Sequence, residues 1–74
     1  MIKVTRLNGK ELIINADLIE TVEATPDTII TLTTNSKYMV RETPEEIVEK
    51  VVEYRRRISH YTFANVNDVD SMSN

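Results

Sequence analysis

The chain has 74 residues, nine Lys/Arg against twelve Asp/Glu for a net charge of −3, a single histidine and no cysteine. This excludes disulfides and thiolate metal ligands, argues against a structural zinc site, and denies the chain the positive excess with which proteins neutralise nucleic-acid phosphates. A domain this small buries only about 60% of its unfolded surface, so its stability is thin and a second chain is the ordinary source of help.

Ile2-Lys3-Val4-Thr5-Arg6-Leu7 alternates over its first four residues, which predicts a first strand with Ile2 and Val4 on one face. Asn8-Gly9 follows as the strongest local hairpin signal. Read as a two-residue type I′ turn, it pairs Val4 with Ile13 and Ile2 with Asn15. Glu11–Asn15 is a second strand, apolar at three successive positions, so both of its faces need cover. Asn15-Ala16-Asp17 reads as a polar corner with one helical turn at Ala16–Ile19, and Leu18–Ala24 as a third strand.

Thr25-Pro26-Asp27-Thr28 fits a turn with Pro26 at its second position, where the ring's fixed φ is already correct. Ile29–Thr34 is the fourth strand and Lys37–Glu42 the fifth. Between them, Asn35-Ser36 reads as a two-residue loop with Asn35 at positive φ. Five strands in meander order predict a largely antiparallel sheet.

Thr43-Pro44-Glu45-Glu46 is a helix start. Thr43 caps, Pro44 takes the first helical position and Glu46 completes a capping box. The helix is predicted to run to Ser59–Tyr61, with Ile47, Val51, Tyr54, Ile58 and Tyr61 on one stripe and Val48 and Val52 widening it. Glutamates in its first half and Arg55-Arg56-Arg57 near its end suit the helix dipole. From Phe63 onward no period remains, and the segment reads as a flexible polar tail. The expected fold is α+β: a small antiparallel meander sheet of about five strands, partly curled, followed by one C-terminal amphipathic helix. Residues 1–62 form a single domain and 63–74 the tail.

Simple alternation sets Ile13, Ile19, Ile29 and Met39 opposite to Ile14, Leu18, Ile30 and Val40. The second apolar face must be covered by curling or by another subunit, so these four residues are candidates for a homo-oligomer contact.

Little in the chain points to catalysis. His60 has no second histidine or cysteine to share a metal and reads as a surface residue at a helix end. The serines and threonines lack a matching base, there is no phosphate-cradling glycine loop, and Glu45 and Glu46 serve the cap. The chain is therefore read as a non-enzyme with no catalytic, cofactor-binding or metal residues and no small-molecule substrate. Residues 1–42 carry five basic against six acidic side chains, residues 43–62 four against four, and residues 63–74 only Asp68 and Asp70. Nucleic acid is accordingly disfavoured as a partner.

Arg6, Lys10 and Arg41, with Lys3, make a candidate basic edge, although edge cations also simply block edge-to-edge aggregation. Arg55, Arg56 and Arg57 make a second candidate patch, although three consecutive residues spread over about 200° of a helix. Tyr38, Tyr54 and Tyr61 read as packing residues. The opening residues lack the long apolar core of a signal peptide, and no run approaches the ~18 apolar residues of a membrane span; the expected location is the cytoplasm.

Met1-Ile2-Lys3-Val4-Thr5-Arg6-Leu7-Asn8-Gly9, then Ile14-Asn15, Leu18-Ile19-Glu20, Thr25-Pro26-Asp27-Thr28, Ile30-Thr31-Leu32, and Lys37, Val40 and Glu42 resemble, in that order, the FlbD family of small bacterial flagellar proteins. The resemblance covers residues 1 to about 58. It departs at Asn35, where the family usually has glycine. It implies a non-enzymatic cytoplasmic protein, peripheral to the inner face of the membrane near the flagellar motor. Such a protein supports swarming and motor power, with a motor or stator component as partner. It brings no catalytic or ligand residues. Thr5-Arg6 and Gly9-Lys10-Glu11 also resemble the strand-turn-strand of carbon storage regulators. The alternative is thus a small RNA-binding post-transcriptional regulator of flagellar genes, with the acidic balance against it.

Overall fold

The computed structural model describes residues 1–73, with side chains through Ser59. In chain order its elements are β1 (Ile2–Thr5), β2 (Glu11–Ile14), a 3-10 turn (Ala16–Leu18), β3 (Ile19–Ala24), β4 (Thr28–Leu32), β5 (Lys37–Val40) and α1 (Pro44–Ser73).

The first hairpin closes one residue wider than a type I′ turn. Arg6 N–H donates to the Lys10 carbonyl at 2.8 Å and Gly9 N–H to the Arg6 carbonyl at 2.9 Å, leaving Leu7-Asn8-Gly9 as a three-residue loop. Gly9 alone takes positive φ there, at +90°, while Asn8 Oδ1 accepts from Lys10 N–H at 2.9 Å. This is the pattern of a type I turn ended by a left-handed residue. The register moves with it: Ile2 lies opposite Ile14 and Val4 opposite Leu12, in place of Asn15 and Ile13. A one-residue slip exchanges the faces of a strand. Ile14 is consequently buried, while Ile13 is 56% exposed.

The same turn recurs between β4 and β5. Leu32 N–H donates to the Ser36 carbonyl at 2.8 Å and Asn35 N–H to the Leu32 carbonyl at 2.9 Å, with Asn35 at φ +71°. The loop is Thr33-Thr34-Asn35, not Asn35-Ser36, and Asn35 holds the position Gly9 holds in the first hairpin. A side chain without asparagine's local hydrogen bonding loses about 1 kcal/mol or more in the left-handed region. Asn35→Ala is therefore expected to lower the unfolding free energy by about 1 kcal/mol and Asn35→Gly to leave it equal or higher. Urea denaturation checks this; an alanine variant as stable as the parent contradicts the turn geometry.

The strands fall into two antiparallel sheets, β1-β2 and β3-β4-β5, which corrects the single five-stranded meander. The 3-10 turn is the reason. Asn15 caps it, accepting from Asp17 N–H at 3.0 Å, and swings the chain away before β3 can pair with β2. The sheets are joined at the opposite end, where Arg6 bridges Val40 and Arg41 N–H donates to the Thr5 carbonyl at 2.8 Å. Between β3 and β4 the closing pair is Ala24–Thr28, so the chain turns at Thr25-Pro26-Asp27, and the Thr25–Pro26 peptide is cis.

Ile2, Val4, Ile14 and Ala16 from one side, Ile30, Leu32 and Val40 from the other, and Ile47 of α1 form one core. Ile19 packs against it as well, contrary to its expected place on the second face. A register shift between Ile19 and Thr21 sets Ile19 opposite Leu32 and Val22 opposite Ile30, so two residues three apart both turn inward.

The helix begins as its sequence dictates. Thr43 N–H donates to Glu46 Oε1 at 3.0 Å and Glu46 N–H to Thr43 Oγ1 at 3.1 Å, closing the capping box. Ile47 is fully buried, and Val51 and Tyr54 pack against the core. Val48 and Val52 do not widen the buried stripe; they lie about 100–140° around the helix from Ile47 and are 56% and 48% exposed. The helix extends past the expected end at Ser59–Tyr61. The readings of His60, of Tyr61 and of the polar tail at 63–74 fall outside the residues described with side chains.

Candidate interaction surface

With the inner faces committed to the core, the outer faces of both sheets carry what is left. Ile13 and Met39 are more than two-fifths exposed, and Ile29 lies directly opposite Met39 across the β4–β5 pair. Ile29–Met39 is thus an apolar cross-strand pair on the outside of the three-stranded sheet. Ile13 stands outside the two-stranded sheet, opposite Lys3.

The six basic candidates do not gather into one patch. The Arg6 guanidinium lies over the Tyr38 ring, 5.7 Å from its centroid, a favourable cation–π placement. Arg41 donates through both Nε and Nη2 to the Leu7 carbonyl, at 3.1 and 2.8 Å, and so braces the first hairpin turn from the end of β5. A Cβ on Gly9 would sit 3.6 Å from the same guanidinium. Lys10 is exposed beside that turn. On the helix, Arg55 reaches Asp17 at 3.3 Å, whereas Arg56 and Arg57 share Glu53 at 3.6 and 3.1 Å. A shallow cleft of about 450 Å³ between β1 and α1 is lined by Lys3, Lys50 and Arg57 together with Glu46, Glu49 and Glu53, charges of both signs.

Glu42, which motif reading touched only as part of a resemblance, holds the joint between the sheets. Its carboxylate accepts from Thr5 N–H and from Thr5 Oγ1, both at 2.9 Å. Partial burial pushes the Glu42 carboxyl up, but the two Thr5 hydrogen bonds, its own backbone N–H and the Lys50 charge outweigh burial and hold it below its ordinary value. No local sequence signal marks this contact, since the partners are 37 residues apart.

Among the described residues no three His, Cys, Asp or Glu side chains stand close enough to hold a metal ion, and no helix is long and apolar enough to cross a membrane. The family model for FlbD, flagellar and swarming motility proteins, matches residues 1–59. The chain belongs to the FlbD family. No curated protein and no solved structure matches it. FlbD membership makes the chain a flagellar and swarming motility-related protein. The matched span takes in both sheets and α1 as far as Ser59. Several residues that carry the FlbD resemblance build the scaffold: Asn8-Gly9 turn the first hairpin, Asn15 caps the 3-10 turn, and Glu42 clasps Thr5.

Proposed function

We propose that this chain is a non-enzymatic accessory protein that supports swarming and flagellar motor power by binding a motor or stator component. It works in the cytoplasm, peripheral to the inner face of the membrane near the motor. The observation that carries the reading is the family match over residues 1–59. Exposed Met39, with half-buried Ile29 opposite it, supports a protein partner, because apolar side chains held outward on a rigid sheet are stabilised when another surface covers them. The RNA-binding alternative gains nothing from Arg6 and Arg41, which are engaged with Tyr38 and with Leu7.

Deletion of the gene from a flagellated host is expected to reduce swarming, and the wild-type gene to restore it. Met39→Asp is expected to fold and yet fail to restore swarming. Unchanged swarming after deletion overturns the function, whereas full rescue by Met39→Asp overturns only the choice of the sheet surface.

A further inference from the structure

We propose that the outer face of α1 pairs antiparallel with the same face of a second copy of this chain, centred on Val52. Glu45, Val48, Val52, Arg55 or Arg56, and Ser59 recur at steps of three and four, which makes them a single stripe along the helix. That stripe is turned away from the one led by Ile47, so the core does not use it. Val48 and Val52 stand exposed at its middle, along a shallow groove of about 390 Å³ lined by Val48, Glu49, Val52, Glu53 and Arg56.

The charges along the helix select the occupant. Glu45, Glu46, Glu49 and Glu53 occupy its first half with Lys50, and Arg55, Arg56 and Arg57 follow. Two parallel copies would set acidic against acidic and basic against basic. An antiparallel pair about Val52 sets Val52 against Val52 and Val48 against the aliphatic stem of Arg56. It also brings Glu49 to Arg55 and Arg56, and Glu45 beside Ser59 and Arg56. Twofold symmetry makes each contact twice.

Glu45 and Glu49 are available for this, since the ion pairs among the described residues are Lys3–Glu11, Asp17–Arg55, Glu53–Arg56 and Glu53–Arg57. One helix against one helix buries less than the ~1,200 Å² of a standard interface, so the association is weak and reversible. It uses a surface other than the Ile29–Met39 pair and does not depend on the motility reading.

Sedimentation equilibrium of the full chain up to submillimolar concentration tests the pairing, with far-UV circular dichroism reporting that each variant keeps its fold. A concentration-dependent dimer is expected, and Val52→Asp is expected to abolish it. Glu49→Arg and Arg56→Glu are each expected to weaken it about tenfold, and the double variant to return it to near the parent value, because exchanging the signs restores the antiparallel match. Parallel pairing predicts no such rescue. A parent chain that is monomeric throughout overturns the proposal. So does a dimer that ignores Val52→Asp, one whose single charge variants are not rescued by the double, or one lost instead in Met39→Asp.

Discussion

Replacing Ile47 by alanine is expected to lower the unfolding free energy by about 3 kcal/mol, within the range for deleting a large aliphatic side chain from a close-packed site. A domain of this size has of the order of 4–11 kcal/mol in all, so this one change removes a large share of it. Ile47 is fully buried and belongs to the cluster that also contains Ile2, Val4 and Ile14 of one sheet and Ile30 and Val40 of the other. A two-stranded sheet and a three-stranded sheet of four to six residues per strand have little stability apart, and a helix across their inner faces is what lets them share a core. Ile47 also sits one turn into α1, where its N–H donates to the Thr43 carbonyl at 3.0 Å, so the capping box sets its position. Chemical denaturation measures the effect. A loss below about 1 kcal/mol would mean that α1 is not packed as described.

Glu42→Gln is expected to cost about 2 kcal/mol at neutral pH and to flatten the acid side of the stability profile. The loss comes from replacing a carboxylate that accepts two hydrogen bonds from Thr5 by a neutral amide that accepts more weakly. The pH dependence has a definite sign. The folded Glu42 carboxyl ionises below its ordinary value of 4.5, so the folded state favours the ionised form. Its contribution is complete above the unfolded value and is lost as the pH falls through the lower, folded one. The parent is therefore expected to lose stability between about pH 5 and pH 3 by an increment that Glu42→Gln lacks. Thermal melts of both proteins across that range decide the matter. Parallel profiles would show that the clasp does not depend on the charge.

Both predictions concern contacts of different legibility. Ile47 is readable as a core residue from its place on a helical stripe after a capping box, because that pattern is local. The Thr5–Glu42 clasp is not, because each residue is ordinary in its own strand and the chain must fold before they meet. The basic candidates show the same limit: consecutive Arg55, Arg56 and Arg57 look like one patch in sequence, yet Arg55 turns to Asp17 while the other two turn to Glu53.

The sequence by itself determined the existence and order of the strands, the start of the helix, the positive φ of Asn35 and the membership of a flagellar family, because alternation, capping and turn preference act over a few residues. Only the tertiary structure decided the register of the first hairpin and how the strands divide into sheets. Asn-Gly serves a two-residue and a three-residue turn alike. The one-residue difference is settled by which register buries Ile14 against Ile2 and lets β1 meet β5 at Arg6 and Val40. The bulge at β3 is settled in the same way, since only the packed core rewards turning both Ile19 and Val22 inward.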